Sequence, residues 1–140
     1  MTLITGPSAT SQLEVYRLTY GQDPYRLEAL LVRCGSDVSV IVGGGHRYHT
    51  GAIALASCHP SPRHPTKHSA TASVLALRGH KEDEIVRTAA LTLASALETT
   101  VTFAAGIHLD DASPADIAHH VDNFERSMEL VLEQLWPRSN

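Results

Sequence analysis

Several features that would identify a common protein class are scarce or missing in this sequence. Only two cysteines occur, Cys34 and Cys58, and their spacing matches neither a zinc ribbon nor a redox-active C-x-x-C pair. No apolar stretch approaches the roughly 20 residues that a membrane helix needs. The first residues lack the basic start and the apolar core of a signal peptide. We therefore expect a cytoplasmic protein with reduced thiols and no contact with a membrane.

An excess of basic residues is missing as well. The chain has 11 lysines and arginines against 15 acidic residues, which gives a formal net charge of −4 with neutral histidines. Nucleic-acid-binding domains usually present a basic face, so this charge argues against a nucleic-acid partner. Aromatic residues make up only 5% of the chain, whereas histidine occurs nine times. Histidine is therefore the residue type most able to carry chemistry here.

The composition that is present predicts one globular domain. The chain has 140 residues, and 43% of them are hydrophobic, which is enough for a single core. We expect one domain over residues 1–140, with flexible tails at 1–12 and 137–140. The order of predicted elements is strands, helix, strand, helix. This order indicates an α+β fold, in which a largely antiparallel sheet of about six strands carries two long helices on one face.

Strand segments are predicted from alternating polarity and from β-branched residues between turn residues. The first four of these segments read as a meander of hairpins, and a loop rich in proline and histidine covers residues 59–71. Six segments are predicted as strands: 13–20, 25–34, 38–45, 51–58, 72–79 and 99–109.

Two helices are predicted from apolar residues that recur three or four positions apart. The first begins near His80 and has an alanine-rich stripe suited to close packing on a sheet. The second has Ser113 as a plausible N-cap, Pro114 at its first position, and an end at Trp136 just before a proline. Its apolar stripe comprises Ile117, Val121, Phe124, Met128, Val131 and Leu135.

The stretch VGGGHRYHTGAIALA, residues 42–56, is the most unusual part of the sequence. Three glycines, Gly43, Gly44 and Gly45, precede His46, Arg47 and His49. Consecutive bare N–H groups can form a concavity that binds anions, and an arginine beside them can hold a phosphate. The alternative is a glycine-rich bulge between strands with solvated histidines. The spacing matches neither a Walker loop nor a dinucleotide-binding fingerprint.

Two further motifs place histidines beside carboxylates. RGHKEDEI, residues 78–85, follows His80 with Lys81, Glu82 and Asp83, and GIHLDD, residues 106–111, places His108 two positions before Asp110. Histidine and carboxylate are ordinary ligands for a divalent metal. The alternatives are acids in the first turn of a helix and a solvated strand end. If the three histidine-bearing strand ends converge, they form one pocket with metal ligands and anion donors.

The remaining histidines give a weaker signal. His59, His64 and His68 lie in the proline-rich loop and are expected in solvent, whereas His119 and His120 are expected on the surface of the second helix. A G-x-S-x-G elbow and an H-E-x-x-H motif are both missing from the sequence, so it offers ligands without an evident nucleophile.

The three motifs together resemble the LpdD-like prenylated-flavin chaperone domain. Members look like G-G-G…H-[IT]-G-A, then G-H-K-E-D, then G-I-H-x-D, and this chain has GGG with HTGAIALA, then LRGHKEDEIVRTAA, then TVTFAAGIHLDDAS. The resemblance covers roughly residues 13 to 135. It implies a fold similar to proteasome-assembly-chaperone-like proteins and a homodimer or larger oligomer.

The resemblance also implies a function. It points to a small non-catalytic protein that binds reduced prenylated FMN and assists its delivery to a UbiD-type decarboxylase. Together with the motif analysis, it predicts a cofactor site at Gly43, Gly44, Gly45, His46, Arg47, His49 and Lys81. A divalent metal of unknown identity is predicted at His49, His80, Glu82, Asp83, His108 and Asp110.

Two other classes remain open from the sequence. One is a small metal-dependent enzyme or decarboxylase subunit that uses the histidine and carboxylate residues. The other is a structural assembly factor without a ligand. An enzyme needs an acid or base within reach of its substrate, whereas a carrier needs affinity without turnover, and the missing nucleophile favours the carrier.

Overall fold

The computed structural model describes residues 2–5, 11–79 and 82–135. It is an α+β fold with one sheet and two long helices, as the sequence predicts, and the sheet has seven strands. The elements in chain order are β1 (Thr2–Thr5), β2 (Leu13–Tyr20), β3 (Leu27–Cys34), β4 (Asp37–Gly45), β5 (Arg47–Pro60), β6 (His68–Ala76), α1 (Asp83–Leu97), β7 (Val101–His108) and α2 (Pro114–Leu135).

The strand order in the sheet is β1-β2-β3-β4-β7-β5-β6. All neighbouring pairs are antiparallel except β4 with β7, which is parallel. The predicted meander is therefore right for β2, β3 and β4 and wrong for β5. The chain leaves β4 at Gly45, turns at His46, and re-enters the sheet on the far side of β7. Periodicity could not reveal this crossing, because β7 comes more than 40 residues later in the chain.

One face of the sheet forms the core because alternate residues of each strand point to it. Its centre is Phe103 on β7, which is fully buried and packs edge-on against Phe124 of α2. The helix α1 covers β5, β6 and β7, and α2 lies over β2 and β3. Small residues Ala52, Ala54 and Ala56 line β5 under α1, so the alanine-rich helix approaches the sheet closely.

The hairpin between β5 and β6 is longer than predicted. The strands pair from Ala52 with Ala76 to Pro60 with His68, so only residues 61–67 form the loop, where a loop over 59–71 was expected. Proline is tolerated at Pro60 because that position ends the strand. The strand β1, in the stretch expected to be a tail, pairs with β2, whereas residues 137–140 lie outside the described part of the chain.

The predicted helices are confirmed, with a later start for α1 at Asp83. The predicted cap of α2 is present: the Ser113 hydroxyl accepts from the Asp116 N–H, at 3.1 Å. The Asp116 carboxylate in turn accepts from the Ser113 N–H, at 2.8 Å, which completes a reciprocal capping box. The stripe is only partly buried, since Ile117 is 56% and Val121 is 40% exposed.

The opposite face of the sheet is uncovered and apolar at its centre. One row of paired residues crosses five strands without a charge: Leu30, Ile41, Ala104, Ile53 and Leu75. With strands about 4.8 Å apart, this row is about 19 Å long. Leu75 is 79% exposed and Ile41 is 58% exposed. Contiguous exposed apolar patches of this kind are rare on monomeric proteins and mark interaction surfaces.

Candidate functional site

The candidate site lies at the edge of the sheet where β4 ends, β5 begins and β7 ends. The turn is held by the His46 N–H, which donates to the His108 carbonyl oxygen at 2.6 Å. Gly45 has φ +74, and a Cβ there would collide with the backbone of His108. Only glycine therefore allows the turn from β4 to β5 to pass over the end of β7 this closely. The crossing brings the residues after the glycines beside the end of β7.

Four side chains form a polar cluster at this edge. The Arg47 guanidinium lies 2.9 Å from His108 Nε2 and 3.7 Å from Asp110 Oδ1. The His108 Nε2 atom is also 2.9 Å from Asp110 Oδ1. The His46 Nδ1 atom accepts from the Asp110 N–H at 3.1 Å. We call His46, Arg47, His108 and Asp110 the edge cluster.

The electrostatics of the edge cluster are those of an anion site filled by its own carboxylate. The hydrogen bond with His108 lowers the pKa of Asp110, against an opposing effect of its partial removal from water. The charges of Arg47, His108 and His46 lower that pKa further. A carboxyl group whose pKa is lowered by its neighbours lies in surroundings that favour a negative charge. Since the Arg47 side chain is largely exposed, an incoming anion can reach it.

A second pair lies beside the edge cluster on the helix side. The His49 Nε2 atom is 3.2 Å from Glu82 Oε1, and the same oxygen accepts from the Ile107 N–H at 3.4 Å. A Cβ at Gly51 would lie 2.5 Å from Glu82 Oε2, so this glycine makes room for the carboxylate. The His49 and His108 rings are 6.3 Å apart, which makes the two groups adjacent.

The first two glycines of the triplet have packing partners in the fold. A Cβ at Gly43 would lie 2.5 Å from the Tyr48 ring, which covers this glycine on the open face of the sheet. A Cβ at Gly44 would collide with the Leu27 side chain in the core. Both contacts are those expected if the triplet is a glycine-rich bulge between strands, which is the alternative that the sequence left open. The role of these glycines in cofactor binding stays a prediction.

The structure brings together part of the predicted site. His46, Arg47, His49, Glu82, His108 and Asp110 lie at one edge of the sheet. Asp83 is exposed in the first turn of α1. His80 and Lys81 lie outside the described residues. Within residues 2–5, 11–79 and 82–135, no group of three or more His, Cys, Asp or Glu side chains is arranged to hold a metal ion.

The prediction that His120 lies on the helix surface was wrong. Its side chain is only 7% exposed and meets the Tyr25 ring edge-on, with the ring centroids 5.3 Å apart. His119 stacks on the same ring and stays exposed. A signal was available in the sequence, because His120 precedes Phe124 by four residues and thus lies on the buried stripe. Burial, more than the neighbouring His119, lowers the pKa of His120.

His120 lines a cleft of about 350 Å³ next to the candidate site. The cleft is bounded by the start of α1, the end of β7 and the first turns of α2. Three titratable side chains line it, Glu82, His108 and His120, and the other lining residues are Gly79, Ile85, Ile107, Leu109, Ala112, Ile117 and Val121. Two of the candidate site residues therefore also face this cleft.

Comparison with solved structures shows the fold. A chain from the crystal structure of a novel chaperone complex for yeast 20S proteasome assembly aligns with a TM-score of 0.59 and 16% identity. The alignment covers 89% of this chain and 98% of that chain. At this identity the likeness concerns the fold alone, and it agrees with the fold that the family resemblance implied.

Comparison with known sequences shows the family. No curated protein matches the chain. None of the described helices is long and apolar enough to cross a membrane. The model of the prenylated flavin chaperone LpdD-like domain matches residues 21–136, which includes the whole candidate site. The chain therefore belongs to the family of prenylated flavin chaperone LpdD-like domains.

Proposed function

We propose that this protein binds reduced prenylated FMN without turnover and assists its delivery to a UbiD-type decarboxylase. The observation that carries the proposal is the edge cluster in a chain of this family. An arginine, two histidines and a tight glycine crossing lie there at an accessible edge of the sheet. A carrier needs such an anchor for the charged end of its cofactor.

The phosphate of the flavin is assigned to Arg47 and His46. The guanidinium offers a fork of donors that matches phosphate oxygens, and it does not lose its charge at any ordinary pH. In the flavin-free protein the Asp110 carboxylate takes the place of an anion beside Arg47, at 3.7 Å from the guanidinium. A bound phosphate takes the place of Asp110, which makes binding an exchange of one anion for another and leaves the site easy to empty.

The predicted metal ion receives less support than the flavin. The Arg47 guanidinium lies 2.9 Å from His108 Nε2, and a positive charge there repels a second cation. The set His49, His80, Glu82, Asp83, His108 and Asp110 stays a prediction, and no part of the proposed phosphate contact depends on it. Calorimetry with Mn²⁺ or Zn²⁺ on the flavin-free protein tests it directly.

The partner proposed for the open sheet face is a second copy of this chain. The apolar row from Leu30 to Leu75 carries no charge that a symmetric partner would repel. In a twofold dimer each copy presents the same patch, so an uncharged, self-complementary row meets the requirement. The edge cluster lies at the end of the same sheet and stays clear of the centre of this row. The decarboxylase must then contact another surface, such as the sheet edge that holds the cofactor.

The proposal is tested by anaerobic titration with reduced prenylated FMN and with FMN, followed by absorbance. The parent protein should bind the prenylated flavin and release it unchanged. Arg47→Ala should weaken binding tenfold or more, since one charge-assisted contact to phosphate is lost. Arg63→Ala is the matched control, because Arg63 is an exposed arginine in the β5–β6 loop.

Three results would contradict the proposal. If the parent binds neither flavin, the protein is no flavin carrier. If the flavin or an added aromatic acid is turned over without a decarboxylase, the protein is an enzyme. If Arg47→Ala and Arg63→Ala bind as tightly as the parent, the phosphate lies elsewhere.

A further inference from the structure

The side chain of His120 is buried in the cleft without a hydrogen-bond partner. It is only 7% exposed, and neither Nδ1 nor Nε2 has a partner within the part of the chain that the structure describes. An imidazole buried in this way loses its hydrogen bonds to water without replacement, which destabilises the folded protein. Buried polar groups in folded proteins are almost always satisfied, so an orphaned one calls for an explanation.

The His120 ring packs edge-on against Tyr25, but its two nitrogens do not serve the packing of the helix. The Tyr25 ring and His119 already stack with their centroids 4.0 Å apart, and the Tyr25 hydroxyl bonds to Asp116 at 2.5 Å. These contacts hold the start of α2 on the sheet, and none of them is a hydrogen bond of the His120 ring. An apolar side chain would fill the same place at lower cost. The two ring nitrogens are therefore unpaired, and because both are buried, the ring has to turn for one of them to meet something that enters the cleft.

The cleft around His120 has the character of a site for a ring. Its volume of about 350 Å³ lies at the small end of ligand pockets, so it holds a ring system rather than a whole nucleotide. Its walls are mostly aliphatic, with Ile85 on α1, Ile107 on β7 and Ile117 on α2. At its mouth, Ile117 and Val121 are left 56% and 40% exposed, although they belong to the apolar stripe of α2.

The cleft is continuous with the edge cluster through His108. That residue lines the cleft and also contacts Arg47 and Asp110. A ligand that places its phosphate at Arg47 can therefore reach the cleft with its ring end. Burial lowers the pKa of His120, which favours the neutral ring, and a neutral imidazole offers one donor and one acceptor.

We propose that the cleft binds the ring end of the flavin and that His120 forms a hydrogen bond with a polar atom of that ring. The ligand class is a flat, largely apolar heterocycle with hydrogen-bonding atoms on its edge. This inference rests on the proposed function, because the identity of the heterocycle comes from it. It adds a second contact region, separate from the phosphate contact, and a residue that the sequence motifs do not contain.

The test uses two ligands and two matched variants of the full chain. The ligands are reduced prenylated FMN and the same flavin without its phosphate, titrated anaerobically. His120→Phe keeps a buried ring and removes both nitrogens, and His119→Phe makes the same change at the neighbouring exposed residue. We expect His120→Phe to weaken the binding of both ligands about tenfold, and His119→Phe to leave both unchanged. Arg47→Ala should weaken only the ligand that carries the phosphate.

Stability measurements separate a binding role from a structural one. Because His120 satisfies no partner in the flavin-free protein, His120→Phe should melt at the same temperature as the parent or higher. His120→Gln, which retains a donor and an acceptor, should recover part of the lost affinity.

Each alternative result has a definite meaning. If the parent binds the flavin and His120→Phe binds it equally well, the inference is overturned while the proposed function stands. If His120→Phe loses affinity only because it melts earlier than the parent, His120 is structural and the inference fails. If the parent binds neither flavin, the proposed function fails and the inference fails with it.

Discussion

The close passage of the β4–β5 turn over the end of β7 can be tested by replacing two glycines with alanine, because both glycines have the same left-handed backbone conformation. Gly45 has φ +74 and Gly79 has φ +82. In this left-handed region any L side chain costs about 1–2 kcal/mol relative to glycine. The surroundings differ: a Cβ at Gly45 would strike the His108 backbone, whereas one at Gly79 would have no heavy atom of the described residues within 4 Å, apart from its own residue and its chain neighbours. Comparing the two alanine variants therefore separates the cost of backbone strain from the cost of steric crowding.

The expected losses of stability follow from the groups that must move to make room for the new methyl group. At Gly79 only the strain applies, so Gly79→Ala should lower the free energy of unfolding by about 1–2 kcal/mol. At Gly45 the two strands must also part. This lengthens the bond from the His46 N–H to the His108 oxygen, worth about 0.5–1.5 kcal/mol, and repacks the edge at about 1–3 kcal/mol. Gly45→Ala should then lose about 3–6 kcal/mol.

Urea unfolding of both variants and the parent at one protein concentration measures these losses. The midpoint should fall much further for Gly45→Ala, with similar slopes for all three proteins. Equal losses of stability in the two variants would refute the crowding argument, because they would mean that the β4–β5 turn does not pass tightly over the end of β7. Flavin affinity should fall with Gly45→Ala, since His108 is displaced, and the loss should exceed that of Gly79→Ala.

Three further outcomes follow from other parts of the fold. Ile41→Asp places a charge in the centre of the open sheet face, so sedimentation should show the parent as a dimer and this variant as a monomer; a monomeric parent would contradict the dimer. Ser113→Ala removes the cap of α2 and should lower the free energy of unfolding, measured in urea, by about 1 kcal/mol; an unchanged value would mean that the cap does not stabilise the helix. Because burial lowers the pKa of His120, the unfolded state takes up a proton that the folded state does not. Stability should therefore fall as pH drops below about 6.5, and less steeply for His120→Phe; the same slope in both proteins would exclude His120 as the cause.

The helices and most strands could be predicted because their signals are local. The stripe of α2 repeats at helical spacing, and Ser113 with Pro114 marks its start, so the start was right to the residue, whereas the predicted end at Trp136 lies outside the described residues. Alternation in LEVYRLTY gave β2 with its observed bounds, and the β-branched run before the glycines gave β4 with an error of one residue at its start. These features depend on neighbours within one turn or one strand, which the sequence displays directly.

The placement of β7 could not be predicted, because strand pairing across the chain leaves no periodic trace. The β4–β5 connection is unusual in its three glycines, but nothing near it signals that another strand lies between β4 and β5. The parallel register that aligns Gly43 with Gly106 and Gly45 with His108 exists only in the folded sheet. The burial of His120 could have been predicted from its place four residues before Phe124 on the apolar stripe of α2, but the cleft that it lines could not, because that cleft is formed by α1, β7 and α2 together.

The inserted strand explains why the three motifs meet. Had β4 and β5 formed the expected hairpin, His46 and Arg47 would lie at a turn with no strand end from the other half of the chain beside it. With β7 between them, its end at His108 is held within one residue of that turn. His108 then faces both Arg47 and the cleft with His120, so a single side chain connects the charged edge with the apolar cavity. A ligand with a phosphate and a ring matches that arrangement better than an ion alone, because an ion would use only the charged edge.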